Sequence, residues 1–110
     1  MGKEGAKLTS ASGKSAEDVQ NRLAGIGAIR VKKMFGGYGI FEGDKMFALI
    51  DSSGRLFFKV DDTNRSRFEG AGSEKHARMP YFSVPGEVLG DDDLLEEWAR
   101  ISIGVSKGGK

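Results

Sequence analysis

The sequence predicts a small α+β domain, in which an antiparallel β-meander of about four to five strands is covered on one face by helices. Residues 29–60 contain four short apolar runs rich in β-prone residues, and the breaks between them are only two to five residues long. Such short links cannot hold a parallel crossover, so neighbouring strands must be antiparallel. Helical periodicity of the apolar residues is found before and after this segment. The predicted order of elements is α-β-β-β-β-α-β-α.

Length and composition are those of one ordinary domain. The chain has 110 residues, of which 38% are hydrophobic, and this apolar fraction excludes a wholly disordered chain. No apolar run approaches the roughly 18–20 residues that a membrane-spanning helix needs. Residues 1–14 lack the apolar segment of a signal peptide, so we expect a cytoplasmic protein without membrane contact. Cysteine is absent, which excludes disulfides, thiolate metal sites and thiol catalysis.

The first helix is predicted to follow a flexible amino-terminal arm. Residues 1–14 are rich in Gly, Ser, Lys and Ala and have no apolar periodicity, so we expect them to be flexible. Ser15 can cap the first turn, and Asp18 three places later completes a variant of the capping box. Two glycines end the helix near residue 28. The apolar stripe of this helix consists of Val19, Leu23 and Ile26.

The meander follows directly. Its four predicted strands are Ile29–Phe35, Tyr38–Phe41, Met46–Ile50 and Leu56–Val60. Alternation along the third strand places Phe47 and Leu49 on one face and Met46, Ala48 and Ile50 on the other. Because both sets are apolar, the second face needs a helix, a loop or a second subunit to cover it. A single buried central strand is the alternative interpretation.

The last part of the chain adds a short helix, a short strand and a longer helix. Residues 61–64 offer several N-cap oxygens for a short helix that bears Phe68, and residues 81–84 form a fifth strand after a loop. Acidic residues at 91–93 suit the start of the final helix. The stripe of that helix consists of Leu94, Trp98, Ile101 and Val105. The folded body is predicted to span residues 15–106, with residues 107–110 as a flexible tail.

Three motifs that suggest chemistry have simpler structural interpretations. His76 is the only histidine and lies in a polar loop, so we interpret it as a solvated loop residue. Three consecutive acidic residues at 91–93 point in different directions, and helix capping explains them better than a cation site. The glycines of residues 36–39 lead into a strand, which favours a tight turn or bulge over phosphate binding. We therefore predict no catalytic, cofactor-binding or metal-binding residue and no enzyme activity.

The charges are unevenly distributed. The net charge is +1 and the two predicted tails carry +2 each, which leaves residues 15–106 at −3. A body of this charge is not expected to bind nucleic acid nonspecifically. Its one basic cluster lies in the first strand, where Arg30 and Lys32 share a face and Lys33 takes the other. Nearby aromatics could stack on the bases of a single strand, although strand aromatics usually fill cores and edge lysines usually prevent self-association. The candidate interaction surface comprises Arg30, Lys32, Lys33, Phe35, Tyr38 and Phe41.

Residues 34–40, MFGGYGI, resemble the hallmark of the TfoX/Sxy family N-terminal domain. Five further blocks that resemble this family follow in the expected order, and the resemblance covers about residues 17–105. The blocks are Met46–Ile50, Leu56–Asp61, Asn64-Arg65 with Phe68-Glu69, Tyr81–Pro85 and Leu94–Ala99.

The resemblance implies a fold similar to secretion-chaperone-like α+β proteins, which often dimerise, and it implies no catalytic residues. Full-length members regulate natural competence together with the cyclic-AMP receptor protein. This chain ends at Lys110, so we expect it to lack their carboxy-terminal helical domain. We expect a non-enzymatic protein-interaction module linked to transcriptional regulation. Its expected partners are a second copy of the chain and a transcription factor of the cyclic-AMP receptor protein type. The alternative is direct binding of nucleic acid through the basic strand Arg30–Lys33.

Overall fold

The structure is a computed structural model that describes residues 3–34 and 36–108, with side chains from residue 13 onward. At its centre, these residues form a five-stranded antiparallel sheet. The strands follow one another across the sheet in chain order, which confirms the predicted meander. They are β1 (Ile29–Met34), β2 (Gly37–Glu42), β3 (Lys45–Ile50), β4 (Leu56–Lys59) and β5 (Tyr81–Ser83).

Helices lie before β1, between β4 and β5 and after β5, and they confirm the predicted α+β class. They are α1 (Lys3–Arg22), α2 (Arg65–Gly70), α3 (Gly86–Leu89) and α4 (Asp92–Ser106), with a 3-10 turn at Ala24–Ile26. The order matches the prediction except for α3, a single turn after Pro85 that is too short to give an apolar period. Asp91 caps α4 as predicted, because its carboxylate accepts the backbone N–H groups of Asp93 and Leu94 at 3.0 and 3.1 Å.

The main core lies between the sheet and the two long helices. α1 packs across β1 and β2, and α4 packs across β3 and β4, so both helices cover the same face. The Phe68 ring meets the Trp98 ring edge-on at a centroid distance of 4.8 Å. The largest fully buried side chains are Leu23, Ile40, Phe47, Ile50, Phe58, Phe68, Val88 and Leu95. Burial of this apolar surface is the main source of stability.

The first helix is longer than its sequence predicts. α1 begins at Lys3, so the prediction that Ser15 starts it is wrong. Ser15 lies inside the helix, and its hydroxyl donates to the Gly54 carbonyl at 2.7 Å, which ties α1 to the β3–β4 turn. The backbone of residues 3–14 continues the helix, although this segment has no apolar stripe. The flexibility of residues 1–14 stays a prediction.

The predicted carboxy-terminal tail begins with an ion pair. Lys107 follows the last turn of α4, and its ammonium group pairs with the Glu42 carboxylate at the end of β2. This bond lowers the pKa of Glu42. Residues 109–110 of the tail lie outside the described residues.

A β-bulge in β3 determines the face that Phe47 occupies. Between the Ile40 and Phe41 pairings the register with β3 shifts by one residue, which leaves Phe47 as the extra residue. Phe47 and Ala48 both join the core under the helices, whereas Leu49 lies on the opposite face. The prediction that Phe47 and Leu49 share a face is therefore wrong, because a bulge breaks strict alternation.

The sheet face turned away from α1 and α4, called the outer face below, carries a smaller apolar cluster. Its members are Leu49, Phe57 and Tyr81, with Met46 and Met79 packed against them. Met46 was predicted to share a face with Ala48 and Ile50, and the same bulge explains the difference. The loop between α2 and β5 provides part of the cover, since it contains Met79. The second apolar face is thus covered in this region by a loop.

Candidate functional site

The basic residues of the first strand lie at an edge of the sheet. β1 pairs only with β2 among the described strands. Ile29 and Val31 pack against the main core on the helix side. Because side chains alternate along a strand, Arg30 and Lys32 project from the outer face, and both are exposed. The outer face of the edge strand therefore carries two positive charges.

Arg30 is held in place by its own hairpin. Its Nε and Nη2 groups donate to the Gly43 carbonyl at 3.3 and 3.0 Å. The guanidinium carbon lies 5.9 Å from the centroid of the Phe41 ring, which is its register partner on β2. This geometry fixes a cation over an aromatic face.

Beside this pair, Gly39 makes room for three apolar side chains. A Cβ atom at Gly39 would lie 2.5 Å from the Met34 sulfur, 2.9 Å from the Met46 sulfur and 3.2 Å from Cε1 of Phe41. Met34, Phe41 and Met46 are half-buried, and we call these three side chains the methionine patch. The described helices pack on the other face, and the cluster next to the α2–β5 loop does not include Met34 or Phe41.

The methionine patch is continuous with the outer-face cluster through Met46. The Tyr81 hydroxyl donates to the Met46 carbonyl at 3.4 Å. Burial raises the pKa of Tyr81 to about 12, because the phenolate would be poorly solvated there. The outer face is therefore buried at Leu49, Phe57 and Tyr81 and half-open at the patch.

The structure brings together only part of the predicted interaction surface. Arg30, Lys32 and Phe41 share the outer face. Lys33 and Tyr38 are register partners on the helix side, where Tyr38 packs against the main core. Phe35 lies outside the described residues.

A comparison with family models identifies the domain. The family described as the TfoX N-terminal domain matches residues 21–106, which include all five strands and α4. The chain belongs to the TfoX N-terminal domain family. This confirms the resemblance seen in the sequence. No curated protein matches the chain.

Met34 and Met46 of this TfoX N-terminal domain were not among the residues proposed from sequence. Methionine in a β-prone run is usually a core residue, and its face depends here on the bulge in β3. A glycine inside a strand is the signal that could have found them, because such glycines often mark a site of close approach.

The two sheet edges of the TfoX N-terminal domain differ. Beyond β5, Lys75 forms a bridge with Phe82, the Ser83 N–H donates to the Glu74 carbonyl at 2.8 Å, and the His76 N–H donates to the Tyr81 carbonyl at 2.8 Å. The loop thus closes the β5 edge. No described strand pairs with the free side of β1.

The motifs considered for chemistry have structural roles. His76 is half-buried, and its ring lies 4.7 Å from that of Phe57, so it is less solvated than the sequence indicated. Gly36 has a φ of 75° in the β1–β2 turn, as expected for a turn glycine. Within residues 3–34 and 36–108, no three His, Asp or Glu side chains are grouped to hold a metal ion. None of the described helices is both long enough and apolar enough to cross a membrane.

A cavity of about 510 Å³ lies between the α2–β5 loop and α3. It is lined by Arg55, Gly70–Ser73 and Ser83–Glu87. The Arg55 guanidinium already donates to the Glu74 carboxylate at 2.9 Å, and the Ser83 hydroxyl accepts the Glu74 N–H at 2.9 Å. These bonds hold the loop against β4 and β5.

Proposed function

We propose that this TfoX N-terminal domain is a non-enzymatic protein-interaction module linked to transcriptional regulation. The observation that carries the proposal is the methionine patch, half-open on the outer face and bordered by the exposed cations of β1. Methionine side chains are flexible and polarisable, so they adapt to the surface of a partner. Apolar patches with a polar rim are typical of interaction sites.

The roles of the titratable groups support an interaction module rather than an enzyme. A general base needs a substrate and an orienting partner within hydrogen-bond distance. His76 packs on Phe57, Asp91 caps α4, and Arg55 pairs with Glu74. Each of these groups is engaged in holding the fold.

The link to transcription rests on the family. The partner that we propose is a transcription factor of the cyclic-AMP receptor protein type, as the resemblance to competence regulators implies. The methionine patch is the part of the domain that would meet it.

Affinity capture with matched variants tests this function. The full chain, Met34→Glu/Met46→Glu and the control Val105→Glu are immobilised and exposed to a bacterial lysate, after circular dichroism has shown that each is folded. Val105 is half-buried on α4, in the helical layer on the opposite side of the sheet. We expect a transcription factor to be retained by the wild type and the control and released by the patch variant. Equal retention by all three chains would contradict the proposal.

Direct binding of nucleic acid is the alternative function. It is supported by the shared face of Arg30, Lys32 and Phe41, which combines cations with an aromatic ring. Against it, Arg30 already donates twice to Gly43, and residues 15–106 carry a net charge of −3. Titration of labelled single-stranded DNA at two salt concentrations distinguishes the two functions, because phosphate contacts weaken steeply with salt.

A further inference from the structure

No described strand pairs with the free side of β1, and one hydrogen bond of the β1–β2 hairpin shows which backbone groups point to that side. The Gly43 N–H donates to the Ala28 carbonyl at 3.3 Å, so Ala28 faces β2. In an antiparallel pair, hydrogen-bonded and non-hydrogen-bonded positions alternate. Ile29, Val31 and Lys33 therefore turn their N–H and C=O groups away from β2. Gln20 Nε2 donates to the Ile29 carbonyl at 3.4 Å, which agrees with this direction.

The charges on β1 determine which kind of strand can pair with this edge. The strand carries Arg30, Lys32 and Lys33 and no acidic residue. None of the ion pairs among the described side chains involves these three cations, and the nearby Glu42 carboxylate is paired with Lys107. An acidic strand would therefore complement the edge.

A second copy of β1 fits this edge poorly. An antiparallel pair of β1 strands centred on Val31 would place Arg30 opposite the Lys32 of the other copy. Centring the pair on Lys32 or Lys33 would place two lysines directly opposite each other. Like charges at directly opposed positions destabilise strand pairing.

We propose that the β1 edge binds an extended acidic segment of a partner protein, which adds to the sheet as a sixth strand. This rests on the proposed function and specifies its partner. Carboxylates on alternate residues of the segment lie beside Arg30 and Lys32 on the outer face. The residues between them are apolar and lie beside Val31 on the helix side. Backbone hydrogen bonds supply affinity in this mode of binding, and the alternate side chains supply specificity.

Binding of a designed peptide to the full chain tests the proposal. The probe is a fluorescein-labelled six-residue peptide that alternates Glu with Val, followed by fluorescence anisotropy at low salt. One control peptide has Lys in place of Glu. The other is N-methylated at the three amides of one edge, which removes the donors that an added strand needs and leaves its charge unchanged. We expect each control to bind at least about tenfold more weakly.

Charge-matched variants locate the site. Arg30→Glu/Lys32→Glu is compared with Lys75→Glu/Arg78→Glu, which makes the same change of charge at exposed residues near the other edge. We expect the first variant to lose binding by at least about tenfold and the second to keep it within about twofold. Equal binding of the N-methylated peptide, or equal loss in both variants, overturns the proposal.

The remaining outcomes identify other occupants. If a six-nucleotide DNA binds more tightly than the Glu-Val peptide in the same assay, the proposal is overturned in favour of nucleic acid. If the chain has the mass of two chains both with and without the peptide, it is overturned in favour of a second copy. If no peptide binds while affinity capture still depends on Met34 and Met46, this proposal fails and the proposed function stands. If capture fails as well, both fall.

Discussion

At the scale of single residues, the titration of Tyr81 tests how far the centre of the outer face is shielded from solvent. Its pKa is raised by burial from an ordinary value of 10.0 to about 12. A raised pKa in the folded state means that the unfolded chain releases the proton first as pH increases. The stability that Tyr81 contributes is therefore fully present below pH 10 and is lost as pH rises towards 12.

Absorbance of tyrosinate at 295 nm measures this directly, with circular dichroism at each pH to show that the chain is folded. We expect a titration step near pH 12 in the wild type, which Tyr81→Phe removes. Tyr38→Phe is the control and should leave the step in place. If both tyrosines of the folded wild type are already fully ionised at about pH 11, Tyr81 is not shielded as its burial indicates.

Single residues also show what local rules can predict. The capping role of Asp91 follows from its position before an apolar stripe, and the structure confirms it. The face of Phe47 cannot be predicted in this way, because it depends on a one-residue shift against β2. Met34 and Met46 meet over Gly39 only after that shift, so the methionine patch is a product of tertiary structure.

At the scale of one element, β2 contains two glycines that differ in the atoms a side chain would contact at each position. A Cβ atom at Gly37 would overlap the Ile50 carbonyl oxygen, which is backbone and cannot move without disturbing β3. A Cβ atom at Gly39 would meet the flexible ends of Met34 and Met46, which can change rotamer. The same substitution should therefore have different costs at the two positions.

We expect Gly37→Ala to destabilise the domain by about 3 kcal/mol or more, and Gly39→Ala by about 1 kcal/mol or less. Urea unfolding followed by circular dichroism gives the two free energies of unfolding. Gly39→Ala should also weaken the affinity capture described above, because it displaces the methionine patch. Comparable losses of stability in the two variants would contradict the close approach of Gly37 to β3.

The elements differ in how far their sequences define them. The strands lie close to their predicted bounds, because turn residues such as Gly36 and Gly54 punctuate them and both adopt positive φ. The start of α1 was missed, because residues 3–14 have no apolar periodicity from which a helix could be predicted. α3 was missed because one turn carries no periodic signal.

At the scale of the whole molecule, the cover over the sheet is uneven. The helices cover one face, and the α2–β5 loop lies against part of the other face and closes the β5 edge. The methionine patch and the edge of β1 are left next to each other, since Arg30 and Lys32 stand beside Phe41 and Gly39 in the strand register. A partner that adds a strand to β1 would therefore also reach the patch.

The same arrangement predicts the state of association of the chain. Like charges on β1 oppose pairing of two identical edges, so we expect a single chain of 11.9 kDa by light scattering at low salt, in contrast to the homodimer that the family resemblance implied. Arg30→Glu/Lys32→Glu alone should also be a single chain. In an equimolar mixture of the two, Arg30 and Lys32 of one copy would face glutamates of the other, and the average mass should rise above that of one chain.

Two controls, high salt and a second mixture, show whether the rise in mass comes from charge pairing at the β1 edge. About 1 M NaCl reduces the Debye length to roughly 3 Å, so it should return the mixture to the mass of one chain. A mixture of the wild type with Lys75→Glu/Arg78→Glu should stay at that mass, because the β5 edge is already closed by the loop. A wild-type dimer at low salt, or a mixture whose mass does not rise, would mean that charge does not control pairing at β1.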